Sequence, residues 1–481
     1  MDQNKTPLFD ALKAYHGSGV VPFDVPGHKR GAGLPELAAF YGNTMLEADV
    51  NSMKCLDYLG NPVSVIAEAE ALLADAYGAD HGYFLVNGTS GGVQAMIMAA
   101  CKPGDKIILP RNAHKSATNG LIASGAMPVY IHPHYHGVLG IALGITADAV
   151  AEAIAANPDA KAVFVINPTY FGCTSELEKI VQISHEAGMM VLVDEAHGAH
   201  FHFHDQMPLS AMAAGADMAA VSLHKTGGSL TQSSGLVLQG NRVSPKYLRN
   251  VITLNQTTSA SYLLMTSLDV TRKNLATRGG AMLEHVLALS RYARTQINGI
   301  PGLRAPGPEM AGQEGIYSFD ESKLLIDVTD LGISGFVAYD LLRDNHKIQM
   351  ELGESSSVLA IISVGDTKAS IDALIKALQD LSDTFEPDHK CSIVVERPEA
   401  VEVVMTPREA FYADKKTVHV HHALGCISGE SVMVYPPGIP VVTPGERITT
   451  EVLRYMNYIR NQDTTITGVD DDTLTSIRVI E

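Results

Sequence analysis

Short apolar runs alternate along this chain with longer segments whose apolar residues recur every three or four positions. The runs read as buried strands and the longer segments as amphipathic helices. Strands are expected at Tyr83–Val86, Lys106–Leu109, Pro128–Ile131, Ala162–Ile166 and Met190–Val193, over residues 219–223, and at Gly235–Gln239. Helices are expected from Pro62 to Gly78, from Val93 to Ala100, and at Ser116–Ser124, Ala147–Ala156 and Glu176–Ala187. This alternation predicts an α/β fold, a mostly parallel sheet of seven-stranded type covered by helices on both faces. Tyr262–Asn274 and Ala281–Asn298 then read as two long helices.

Breaker-rich stretches frame this region. Residues 1–60 are irregular and rich in Gly, Pro and Asp, with one short helix expected at Leu8–Tyr15. Such an arm is suited to wrapping a partner domain or subunit. Gly299-Ile300-Pro301-Gly302 through Pro308 reads as a joint. Beyond it, strands at Lys323–Val328, Gln349–Leu352 and Val358–Ser363 and helices at Gly335–Asp344 and Thr367–Leu381 predict a smaller α+β domain. Residues 390–420 link it to a tail that ends in a helix at Thr449–Asn461. The expected division is an N-terminal arm (1–60), a large domain (61–305), a small α+β domain (306–390) and a C-terminal domain (391–481).

A chain of 481 residues exceeds a single ordinary core, in keeping with that division. The formal net charge of −18 excludes the basic footprint that nucleic acid or an anionic membrane requires, and mildly favours cationic ligands. Cys55, Cys101, Cys173, Cys391 and Cys426 lack CxxC pairing, which fits reduced thiols in the cytoplasm and no zinc site. His132, His134 and His136, then His200, His202 and His204, and His421 with His422 come without a matching set of cysteine or carboxylate ligands, so no metal site is expected. There is no apolar leader and no run of ~20 apolar residues, so a soluble protein is expected.

Three segments carry candidate chemistry. Lys225 follows His224 at the end of an apolar stretch and precedes Thr226-Gly227-Gly228-Ser229. A lysine delivered from a strand end into a polar, glycine-rich turn is placed to have its amine pKa lowered and to form a Schiff base. Asp194 ends the apolar run Met189–Val193, at the carboxyl end of a strand, where open α/β sheets hold their ligands. A carboxylate there calls for a cation, and a pyridinium nitrogen is one such partner. It precedes Lys225 by roughly thirty residues, about one strand-helix-strand unit. Finally, Asn87-Gly88-Thr89-Ser90-Gly91-Gly92 joins a strand to a strong helix former. Glycines, hydroxyls and a helix N-terminus make an anion site there, though the pattern is neither Walker A nor the dinucleotide fingerprint.

Ser222-x-His224-Lys225 with Gln232-Ser233-Ser234 resembles the lysine signature of the bacterial ornithine/lysine/arginine decarboxylases, which use pyridoxal 5'-phosphate (PLP) on the aspartate-aminotransferase fold (fold type I). Val25-Pro26-Gly27-His28-Lys29-Arg30-Gly31 is similar to an N-terminal element of that family. Ile427-Ser428-Gly429-Glu430, Tyr435-Pro436-Pro437-Gly438-Ile439-Pro440 and Pro444-Gly445-Glu446 resemble its C-terminal motif. The resemblance spans nearly the whole chain and implies a short form without the N-terminal wing domain of larger homologues.

It further implies that Lys225 holds PLP, that Asp194 keeps the pyridine nitrogen protonated, and that Thr89, Ser90, Ser222 and His224 hold its phosphate. His114 would stack on the ring, and His197 would contact the ring oxygen or imine region. Thr258, in Gln256–Tyr262, would reach the phosphate of a partner subunit in a homodimer or higher homo-oligomer. Glu430, with Glu446 as rival and His28 beside them, would read the distal cation of the substrate. The implied reaction is decarboxylation of a basic L-amino acid, arginine to agmatine before lysine to cadaverine or ornithine to putrescine. An aminotransferase, a lyase or a non-catalytic PLP-binding protein are the alternatives.

Overall fold

The structure, a computed structural model, describes residues 1–385, 402–435, 439–461 and 465–481. Seven strands follow one another in the chain: β1 (His81–Leu85), β2 (Lys106–Pro110), β3 (Met127–Ile131), β4 (Ala162–Ile166), β5 (Met190–Glu195), β6 (Met218–Val221) and β7 (Ser234–Leu238). They form one mainly parallel sheet in the order β1-β7-β6-β5-β4-β2-β3. β2 runs parallel to β3 and β4, whereas β7 runs antiparallel to both β1 and β6. The fold is the α/β arrangement expected. Continuous burial of β4 through β7 explains why these strands read as unbroken apolar runs rather than alternating ones.

The chain divides into two compact units, residues 1–99 with 193–283 and residues 100–192 with 284–481. In the first, Tyr262–Ile297 starts as one 36-residue helix that runs on into the second unit, where two helices are expected. Gly279 and Gly280 do not break it, because Gly279 lies where a Cβ would stand 2.9 Å from the Cβ of Phe203. The glycine allows close approach instead of ending the helix. The same helix holds the N-terminal arm through a fully buried pair, Asp269 and Arg272, 2.7 Å apart. Asp269 accepts the N–H groups of Leu8 and Phe9 in the first turn of the helix Pro7–His16, and Arg272 donates to the carbonyls of Gln3 and Lys5. The arm also carries short helices at Pro35–Tyr41 and Asn43–Ala48, where irregular chain is expected.

The second unit holds β2–β4 and the helices Lys115–Ser124, Ala147–Ala156 and Leu177–Glu186. After residue 300 it continues with an antiparallel sheet of Lys323–Asp327, Ser357–Ile361 and the short strand Leu352–Gly353, flanked by Gly335–His346 and Lys368–Thr384. The tail builds two small antiparallel sheets and the helix Thr450–Arg460 around Val442, Ile448, Val452, Met456 and Val479. The expected boundary at 391 and the core of the Tyr-Pro-Pro-Gly-Ile-Pro motif, residues 436–438, lie outside the described residues. Among the described residues no helix is long and apolar enough to cross a membrane.

Candidate active site

Lys225 does not sit in a flexible turn. β6 ends at Val221, Ser222 precedes a one-turn helix, Leu223–Thr226, and Lys225 lies within it. Leu223 is fully buried and anchors that turn. The amine of Lys225 is thereby directed at the imidazole of His197, with Nζ 2.7 Å from Nε2.

His197 and Asp194 arrive together from the end of β5. Asp194 is the penultimate residue of that strand and is buried. Its Oδ1 accepts the Ala196 N–H at 3.1 Å. Burial pushes the Asp194 carboxyl up, while the charge of Lys225 and the Ala196 N–H pull it down. A buried carboxylate whose principal opposing charge is Lys225 needs another cation once that amine is neutralised.

The glycine-rich segment is the first turn of the helix Gly88–Ala100 rather than a separate loop. Gly92 lets this helix lie close on the sheet, since a Cβ there would meet Leu85 at 2.7 Å and Ala220 at 3.1 Å. Thr89 Oγ1 is hydrogen-bonded to Ser222 Oγ, and it donates to Ser234 Oγ at 3.0 Å. Three buried hydroxyls from three elements thus meet beside a helix N-terminus, whose first-turn N–H groups have no intrahelical acceptors. Ser90 lies half-buried in the same turn. His224 Nδ1 donates to the Ser233 carbonyl at 2.9 Å, and burial pulls this imidazole below its ordinary pKa.

Ser234 is absent from the expected site residues. Its only sequence signal is membership in the Gln232-Ser233-Ser234 run. The register of β7 against β1, with Ser234 opposite Leu85, is what brings it to Thr89.

The remaining expected residues have other surroundings. His114 caps the helix Lys115–Ser124, its Nδ1 accepting the Ser116 N–H at 3.2 Å, so the ring hydrogen of the neutral form is on Nε2. His28 Nδ1 accepts the Gly31 N–H at 3.0 Å and Nε2 donates to Asp49 at 3.2 Å, so the ring closes its own turn. Thr258 is exposed. Glu430 is buried and accepts the N–H groups of Asp470 and Arg478, both at 2.9 Å, one on each carboxylate oxygen. Glu446 is buried against Arg111 at 2.9 Å and accepts the Thr443 N–H at 2.6 Å. Arg111 also donates to the carbonyls of Pro440 and Val441 and stacks over Tyr130. Among the described residues, no cluster of three or more His, Cys, Asp or Glu residues is arranged to hold a metal.

The family model for the Orn/Lys/Arg decarboxylase major domain matches residues 6–370, and that for the C-terminal domain of the same family matches residues 393–475. The chain belongs to the Orn/Lys/Arg decarboxylase family. It is 45% identical over 484 residues to an arginine decarboxylase of Bacillus anthracis, covering 100% of this chain and 98% of that one. It is likewise 45% identical to an arginine decarboxylase of Bacillus subtilis, covering 100% and 99%. Among solved structures, the Francisella novicida lysine decarboxylase has the same fold, with a TM-score of 0.86 at 24% identity, covering 99% of this chain and 81% of that one. Membership in the family makes the protein a decarboxylase, and the resemblance read from Lys225 and the two terminal motifs is borne out.

Proposed function

We propose that the protein is a PLP-dependent arginine decarboxylase that converts L-arginine to agmatine and CO2. One arrangement carries this reading: a lysine amine bonded to an imidazole, coupled to a buried carboxylate, in the same unit as three buried hydroxyls at a helix N-terminus. Full-length likeness to arginine decarboxylases at 45%, against 24% for the lysine decarboxylase structure, favours arginine over lysine.

The residues fit PLP. Thr89, Ser222 and Ser234 offer hydroxyls to a phosphate, and the N-terminal turn at Thr89 and Ser90 offers N–H donors and a favourable dipole. Asp194 is the buried anion that a protonated ring nitrogen requires. Lys225 supplies the amine for covalent attachment. When bound, PLP supplies the electron sink for the pair left at Cα as the carboxylate departs as CO2.

The chain's own groups then have defined tasks. Asp194 holds the proton on the ring nitrogen and so keeps the sink effective. Lys225 would hold the cofactor until substrate arrives, and His197, in direct hydrogen bond with Nζ, would hold the proton that the substrate amine sheds. Together they hold the proton that Cα takes up after CO2 leaves. His114 is assigned to the ring face, and His224 to the wall of the phosphate site. Thr258, exposed in the single chain, is assigned to the phosphate site of a partner in a homodimer. Glu430, Glu446 and His28 already have partners within their own units, which supports a framework role for them over direct reading of the guanidinium.

The test is to incubate the holoenzyme separately with arginine, lysine and ornithine and to measure CO2 and amine. Agmatine equimolar with CO2, and the highest kcat/KM for arginine, is expected. Preference for lysine or ornithine overturns the substrate, and a 2-oxo acid without CO2 overturns the reaction.

A further inference from the structure

The loop after β5, residues 196–211, carries His197 and is tied down at three points. The Tyr77 hydroxyl donates to the Ala199 carbonyl at 2.7 Å. His200 Nδ1 meets Thr226 Oγ1 at 3.1 Å, one residue beyond Lys225. The third tie is Glu195, whose Oε1 accepts the Ala211 N–H at 2.7 Å. Its backbone carbonyl also accepts the Gly198 N–H at 3.0 Å, closing the turn that presents His197.

Glu195 follows Asp194 directly, and strand alternation sends the two side chains to opposite faces of the sheet. It is 0% exposed, and Oε2 is buried without a hydrogen-bond partner among the described residues. Among those residues no lysine, arginine or histidine forms an ion pair with it. The ionisable groups around it are few. Tyr77, at the end of the helix Val65–Ala76, has its phenol held up first by burial and then by Glu195. His202 lies beyond Tyr77, with ring centroids 6.0 Å apart, and burial pulls it down. Asp194 interacts instead with Lys225. A carboxylate in such a place would be a buried charge held by one N–H, whereas the neutral acid avoids that cost.

We propose that Glu195, kept as the neutral acid, is a positioning residue that fixes the loop delivering His197 to Lys225, and that rising pH favours opening of the loop because the carboxyl ionises more readily in water than in its buried place. Burial pushes its carboxyl up to about 8. The closed loop therefore loses stability as pH rises from the ordinary carboxyl range to about 8. The catalytic consequence rests on the decarboxylase reading, whereas the anchoring of the loop does not.

Hydrogen exchange of the peptide containing the Ala211 amide reads the tie directly. It is measured on the PLP-loaded full chain from about pH 5.5 to about pH 9, in the wild type and in Glu195→Gln, and compared at equal pH so that intrinsic rates cancel. Protection in the wild type should fall by up to about tenfold per pH unit as pH rises toward about 8, and level off above it, relative to Glu195→Gln. The wild-type kcat, taken as a ratio to that of Glu195→Gln, should fall over the same pH range. Identical pH dependence in both proteins overturns the proposal. Should Glu195→Gln not fold, infrared spectra of the wild type still decide the matter. A protonated buried carboxyl band that disappears as pH passes through 8 supports the proposal, and its absence at pH 7 refutes it. Wild-type exchange of the expected form without any decarboxylation would overturn the functional reading alone.

Discussion

Nζ of Lys225 lies 2.7 Å from Nε2 of His197, and the charge of the same lysine opposes the cost of burying Asp194. Both relationships depend on β5 and β6 ending within the same unit of the molecule. A single lysine thus serves two partners, of which a cofactor would take over one, Asp194.

Asp194→Asn retains the shape of the site and removes its charge. Turnover is expected to drop by about three orders of magnitude, on the order of ~4 kcal/mol, because a preorganised partner of developing charge is lost. Steady-state kcat with saturating PLP checks this. Turnover near the wild-type value would reduce Asp194 to a turn-forming residue that accepts the Ala196 N–H.

Ser234→Ala and Thr89→Ala each delete one hydroxyl from the buried trio. Each is expected to weaken PLP binding about fivefold, or about 1 kcal/mol, with a smaller effect on KM for the amino acid. Titration of the apo protein with PLP measures it. Unchanged affinity in both variants would remove the phosphate from this helix N-terminus.

What the amino-acid pattern revealed depended on the range of the forces involved. Ala147–Ala156 and Ala162–Ile166 were readable to the residue, because a buried strand or an amphipathic helix writes its own period locally. That Asp194 lies at the end of β5 and Lys225 just beyond β6 was readable, because each follows an unbroken apolar run. The continuous helix through Gly279 was not, since its reason is the side chain of Phe203, distant in sequence. Ser234 and Glu195 were hidden for a related reason. One acquires its role through strand register, and the other looks like the unremarked neighbour of an obvious aspartate.

Arg111 and Glu446 form a buried ion pair that ties the chain just after β2, three residues before His114, to the C-terminal motif. Burial pushes the Glu446 carboxyl up and Arg111 pulls it down. Glu446→Gln leaves the guanidinium without its counter-charge, and unfolding measurements should show a loss of about 3–5 kcal/mol. Pairing it with Arg111→Met should recover much of that loss. Full stability combined with a raised KM for arginine would instead make Glu446 a reader of the substrate cation.

Glu195 also predicts a pH dependence of stability. Its folded pKa of about 8 lies above the unfolded carboxyl value of about 4.3. The folded protein therefore keeps a proton that the unfolded chain releases. That contribution is fully present below about pH 4.3 and is lost as pH rises to about 8, beyond which it stays flat. Glu195→Gln lacks this slope, so its Tm advantage over the wild type should widen from about pH 5 to about pH 8. Calorimetry across that range tests the sign, and a constant difference would mean that Glu195 is ionised in the folded protein.

The central claim is that Lys225 is the residue that carries the cofactor. Borohydride reduction of the PLP-loaded protein, followed by proteolysis and mass spectrometry, tests it most directly. A single pyridoxyl-phosphate adduct on Lys225, lost in Lys225→Ala, is expected. An adduct on another lysine, or no adduct in protein saturated with PLP, would contradict it.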